Sequence, residues 1–173
     1  MAIDAMEAGK HVYCEKPMAW SYHDAKRMYD TAQATGKLLH IQLGRIYRHE
    51  TWCARRLITD GQLGSIYSVT STHYRRRGRP WVDGYGSAAF VSSRTAGSGA
   101  LRDFGIYNIA RVVFLLGNPE LETVSGLTQS RIHMYEDRRK SGGFDLEESV
   151  QGLVRFAGGI GYSIAEAWAM HSD

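Results

Sequence analysis

The first 43 residues restrict the fold more than any other stretch, because they alternate helix and strand and their strands are apolar on both faces. Residues 2–8 read as a helix closed by Gly9, a residue suited to the left-handed position just past a helix end. The run His11-Val12-Tyr13-Cys14 follows as a short buried strand. Ser21 opens the next helix, with Asp24 three places on as in a capping box. Tyr22, Ala25, Met28, Tyr29 and Ala32 share one face until Gly36 stops it. Residues 38–43 read as a second strand. Strands without polar alternation belong to a parallel α/β sheet covered by helices on both sides, and two of them make only the tail of such a sheet.

The remaining chain changes style. Residues 50–59 predict a helix with Trp52, Leu57 and Ile58 turned inward and Asp60-Gly61 as its stop. Residues 65–74 predict a long strand, and 75–99 a loop rich in Gly, Pro and Ser. One amphipathic helix is expected over 100–116, with Leu101, Phe104, Ile109, Val112, Val113 and Leu116 as its apolar stripe. Strands are expected near 124–135, 149–156 and 160–168, the last two joined through Ala157-Gly158-Gly159 as a tight hairpin. Val150, Gly152, Val154 and Phe156 alternate with Ser149, Gln151, Leu153 and Arg155, which suggests a sheet with one covered face. The second part is therefore α+β with an antiparallel sheet.

Composition removes whole classes of protein. With 43% hydrophobic residues, aperiodic glycine and only Cys14 and Cys53, the chain is neither disordered, collagen-like nor a disulfide scaffold. No apolar run reaches the ~18 residues of a membrane span, and the first residues lack the order of a signal peptide. A cytoplasmic protein with no membrane partner is expected. The net charge of +3 suits an anionic ligand without requiring one. Arg75-Arg76-Arg77-Gly78-Arg79 reads as a solvated loop, so no nucleic-acid partner is expected. The histidines and cysteines show no ligand spacing, and no metal is expected.

Two places have the makings of a site. Cys14-Glu15-Lys16-Pro17 lies at the carboxyl end of a predicted strand of an α/β sheet, where ligands bind in open folds of this kind. Position alone also allows a plain loop ion pair there. Asp103 and Tyr107 are spaced i, i+4 on the predicted helix, so they share one face, and Gly105 between them permits close approach. The plainer alternative is a core tyrosine and a first-turn aspartate favoured by the helix dipole.

The stretch Glu7-Ala8-Gly9-Lys10-His11-Val12-Tyr13-Cys14-Glu15-Lys16-Pro17-Met18-Ala19, with the Arg45-Ile46-Tyr47 segment beyond it, resembles the middle of the glucose-fructose oxidoreductase and inositol dehydrogenase (Gfo/Idh/MocA) family. Gly97-Ser98-Gly99-Ala100-Leu101-Arg102-Asp103-Phe104-Gly105-Ile106-Tyr107 resembles the family's second motif, a glycine run followed by Asp-x-Gly-x and then His or Tyr. Tyr107 matches the branch of glucose-fructose oxidoreductase and the dihydrodiol dehydrogenases.

The resemblance implies the tail of a Rossmann domain over 1–45. A partial substrate-binding and oligomerisation domain would follow over 46–173, with an open, mainly antiparallel sheet and helices on one face. It implies an internal piece of a longer protein, lacking the amino-terminal part of the Rossmann domain and the carboxyl-terminal end. It further implies hydride transfer between NAD or NADP and a hydroxyl or carbonyl carbon of a sugar, polyol or related cyclic substrate, in a homo-oligomer paired through the sheet face. Glu15, Lys16 and Pro17 would lie at the cofactor. Lys16 would bind near the nicotinamide ribose and the reacting hydroxyl, Tyr107 would be the acid/base, and Asp103 would support substrate and lysine. A free phenol is a weak base at neutral pH, and a neighbouring ammonium favours the phenolate. The alternative is a non-catalytic sugar-sensing or assembly module of the same fold. No G-x-G-x-x-G phosphate loop is present, and Ile46 stands where the family usually has arginine, with Arg45 one place early, so no substrate role is assigned to Arg45.

Overall fold

Both helix and strand pairs of the amino-terminal stretch form. The computed structural model describes residues 1–171, so the last two residues of the second expected domain lie outside the described ones. The chain divides into two units, Met1–Gly44 and Arg45–Asp173.

In the first unit α1 (Ala2–Glu7) leads to β1 (Val12–Glu15), then α2 (Tyr22–Thr35) leads to β2 (Leu39–Gln42). β1 and β2 pair in parallel, from Val12 opposite Leu39 to Glu15 opposite Gln42. The local causes are those of the sequence. Ser21 Oγ accepts from the Asp24 backbone N–H at 3.1 Å, a cap worth about 1 kcal/mol. Gly36 closes α2 at φ 65, where a Cβ would strain the backbone. Met6, Met28 and Ala32 are buried.

The second unit contains α3 (His49–Thr59), β3 (Ser68–Tyr74), a π-turn (Leu101–Gly105) running into α4 (Ile106–Leu116), β4 (Leu121–Gln129), α5 (Glu136–Gly142), β5 (Ser149–Phe156) and β6 (Ile160–Ala167). Its sheet has the order β3-β6-β5-β4. β4, β5 and β6 are antiparallel neighbours while β3 joins β6 in parallel, so the sheet is mixed. The β5-β6 hairpin turns at Gly158 and Gly159, both with φ near 80, as the glycine pair predicts.

α4 packs its stripe on one sheet face. Val112, Phe156, Tyr162 and Ile164 are buried there, with Leu101, Ile109, Val113 and Leu116 against them. Val82, Val91, Ala100, Met134, Phe144, Leu146 and Trp168 form a second cluster. β4 is exposed along its whole length.

Four expectations need correction. Trp52 is 53% exposed and Leu57 42%, so neither is a core residue of α3. Trp52 meets the Phe114 ring edge-on at 5.3 Å, and the buried residue of α3 is Thr51, whose hydroxyl donates to the Arg45 carbonyl at 2.8 Å. The strand expected at 124–135 starts earlier and ends at Gln129, and α5 follows. α5 was not legible because EDRRKSG has no apolar period. The helix expected over 100–116 begins as a π-turn. Arg79, assigned to a solvated loop, is fully buried between Asp83 and Glu148.

Gly99 fixes the approach to the π-turn. A Cβ there would stand 1.9 Å from the Glu147 backbone oxygen, while Gly99 N–H donates to Glu147 Oε1 at 2.6 Å and its carbonyl accepts from Asp103 N–H at 3.0 Å. No rotamer relieves a clash with backbone. Gly99→Ala is therefore expected to cost about 1–3 kcal/mol, read as a lower urea midpoint with unchanged slope.

Candidate active site

The first unit has one candidate corner. Glu15, Lys16 and Pro17 follow one another at the carboxyl end of β1, the Lys16 backbone N–H reaches Glu15 Oε2 at 3.3 Å, and the Lys16-Pro17 peptide is cis.

The second unit has a denser cluster of its own, organised by the π-turn. Such a turn is one residue wider than an α-turn and recurs at functional sites. Asp103 lies in it and Tyr107 is the second residue of α4, so the two expected site residues stand on successive turns of one continuous helical segment. Asp103 Oδ2 accepts from Trp168 Nε1–H at 3.1 Å, which ties the turn to the end of β6. Gly105 lets β6 approach from behind, because a Cβ there would lie 2.7 Å from Leu101 Cδ1 and 3.1 Å from Glu166 Cγ.

Residues with no motif of their own surround these two. The Arg45 guanidinium lies 5.5 Å from the centre of the Tyr107 ring. It donates to Asn108 Oδ1 at 2.8 Å, an oxygen that also accepts from Arg111 at 3.1 Å. Asn108 in turn donates to Glu166 Oε1 at 2.5 Å. Phe104, between Asp103 and Gly105, stacks on the His73 ring at 5.0 Å and carries the Arg75 guanidinium 3.8 Å from its centre. Arg75 is pinned by the Tyr85 hydroxyl at 2.9 Å.

Burial, reinforced by Arg45 and Arg75, holds the His73 imidazole below its ordinary pKa, with Asp103 opposing. Burial pushes the Glu166 carboxyl above the ordinary carboxylate range, while Asn108, Arg45 and Arg111 oppose it. The imidazole is thus biased toward its neutral form, whereas at Glu166 burial and the surrounding donors pull in opposite directions. Arginine and tryptophan only donate hydrogen bonds, so acceptors for a polyhydroxy ligand must come from the other side chains of the cluster.

The structure therefore keeps Glu15, Lys16 and Pro17 together in one unit, and Asp103 and Tyr107 together in the other. Sequence reasoning missed Asn108, His73, Glu166 and Trp168, and set Arg45 aside. The signal for Asn108 was its place beside Tyr107. The others come from distant elements brought together by the sheet. Among the described residues no group of three or more His, Cys, Asp or Glu side chains is arranged to hold a metal, and no helix is long and apolar enough to cross a membrane.

Comparison with known proteins gives the cluster a context. Residues 1–43 match the family model described as the oxidoreductase family with an NAD-binding Rossmann fold. Residues 52–173 match the GFO/IDH/MocA C-terminal domain. D-glucoside 3-dehydrogenase of Escherichia coli (strain K12) is 33% identical over 160 residues, covering 90% of this chain and 44% of that protein. Levoglucosan dehydrogenase of Pseudarthrobacter phenanthrenivorans is 27% identical over 173 residues, covering 92% of this chain and 43% of that protein. An NAD binding oxidoreductase from Klebsiella pneumoniae superposes with a TM-score of 0.80 at 26% identity, over 100% of this chain and 45% of that one. The chain thus spans under half the length of these relatives. Matched along nearly all of its length, the chain belongs to the Gfo/Idh/MocA oxidoreductase family.

Proposed function

We propose that the protein carrying this chain is an NAD(P)-dependent dehydrogenase of a sugar, polyol or related cyclic alcohol. On this reading residues 1–45 end its dinucleotide-binding domain and 46–173 form part of its substrate domain. The observation that supports it most is the π-turn cluster: an aspartate anchored by Trp168 one turn before a tyrosine that lies beneath a guanidinium.

The donors at the carboxyl end of β1 fit the nicotinamide end of a dinucleotide, since a parallel strand ending in a loop with an ammonium is a usual place for such a ligand. Lys16 would hold that end, with Glu15 and Pro17 shaping the corner. When bound, the nicotinamide supplies the acceptor or donor of a hydride. The chain's residues handle the proton. In oxidation Tyr107 Oη takes the proton of the reacting hydroxyl as its carbon loses a hydride; in reduction Tyr107 returns it to the carbonyl oxygen. Asp103, held on one oxygen by Trp168, orients the substrate.

Pairing of two copies through the exposed sheet face around β4, and a cytoplasmic location, complete the reading. The test is reduction of NAD or NADP by the full-length gene product with a panel of sugars, glycosides and inositols. Steady turnover with one of them supports the reading. Sugar binding without turnover replaces it by a sensing module, and neither binding nor turnover defeats both.

A further inference from the structure

One buried acid in the cluster has no task in the proton transfer just described. Glu166 lies on β6 with 1% of its surface exposed, directly opposite His73 of β3 in the parallel register. Its two oxygens meet different partners. Oε1 accepts from Asn108 Nδ2, so the Asn108 oxygen is left turned to Arg45 and Arg111. Oε2 is buried and accepts no hydrogen bond among the described residues, while His73 Nδ1 stands 3.4 Å away.

A buried carboxylate oxygen is costly unless a donor meets it. His73 is held toward its neutral form, and a neutral imidazole has a single N–H, on one nitrogen or the other. A proton on Nδ1 satisfies Glu166 and leaves Nε2 an acceptor. Glu166 has no exposed side-chain surface and His73 keeps 26% of its own, so the open edge of the ring is not the one turned to the glutamate. The same ring stacks on Phe104, next to Asp103. Beside the donors Arg45, Arg75 and Trp168 and the Asp103 side chain, such an acceptor adds a partner for the hydroxyl groups of a sugar.

We propose that Glu166 is a positioning residue that selects the Nδ1–H form of His73, making His73 Nε2 a hydrogen-bond acceptor for a hydroxyl of the substrate. The ligand's identity rests on the dehydrogenase reading; the selection of the tautomer does not.

Glu166→Gln tests it with little change of shape. Asn108 Nδ2 holds the new amide oxygen on its side, so the amide N–H faces His73 Nδ1 and drives the ring proton to Nε2. Histidine-labelled full-length gene product, followed by nitrogen-15 NMR, should show Nδ1–H in the parent and Nε2–H in the variant. KM for the best sugar of the panel should rise about 10-fold or more while kcat and the cofactor KM move little, since an acceptor for a bound hydroxyl has become a donor. Nε2–H in the parent, or the same tautomer in both proteins, overturns the proposal. A reversed tautomer with an unchanged KM overturns the link to substrate. If no sugar turns over, the dehydrogenase reading fails, and the tautomer together with calorimetric titration of D-glucose still decides the role of Glu166. If the variant does not fold, the parent tautomer decides alone.

Discussion

Tyr107→Phe in the full-length gene product should lower kcat by about 100- to 10,000-fold, the range that loss of a positioned acid or base produces. The phenylalanine keeps the ring, and with it the stacking surface beneath Arg45, so the cluster itself should survive. KM for the sugar and for the cofactor is expected to stay within a few-fold of the parent, because the deleted oxygen matters chiefly while the proton is moving. The check is a steady-state comparison at several pH values, with a thermal melt beside it. A variant retaining a tenth or more of the parent kcat would remove Tyr107 from the chemistry.

The largest stability effect is expected at a different group, a buried arginine. Arg79 is fully buried, with its Nε 2.9 Å from Asp83 Oδ2 and its Nη1 2.9 Å from Glu148 Oε2. It also donates to the carbonyls of Ile132 and His133 at 3.0 and 3.2 Å. Glu148 Oε1 accepts from the backbone N–H groups of Arg131 and Ile132 at 2.5 and 2.6 Å. One guanidinium thus organises the 79–83 loop, the stretch after β4 and the start of β5. Arg79→Met leaves two carboxylates without their cation and should cost about 3–5 kcal/mol, on the order of 10 °C in Tm. Adding Glu148→Met should cost much less than the sum of the two single changes, because the second change removes a charge already stranded. A strictly additive double variant would show that the pair does not act as a unit.

These two residues also mark what a sequence can and cannot disclose. Asp103, Gly105 and Tyr107 lie within five consecutive positions, so spacing and a short motif bring them to notice together. Arg79 sits in an arginine-rich run whose composition argues for solvent, and its burial depends on the long-range placement of Glu148 as well as on nearby Asp83. His73 and Glu166 become neighbours through the parallel pairing of β3 with β6, a pairing that the intervening antiparallel hairpin hides. The helix stops at Gly36 and Gly117, both left-handed, were legible because they depend on adjacent residues alone. The exposure of Trp52 was not, because it depends on a distant element, α4, whose Phe114 the indole meets only edge-on.

The π-turn has one more consequence. It acts as a frameshift within a helix: one residue beyond the α-helical count is stored between Leu101 and Gly105, and every side chain after it is rotated relative to those before it. Phase, and not only residue type, is therefore a heritable property of this segment. A lineage could exchange Phe104 or Ile106 and keep the arrangement, whereas loss of a single codon here would restore ordinary helical geometry and swing Asp103 away from Trp168. Relatives of this chain should tolerate drift in letters across the segment far better than any change in its length.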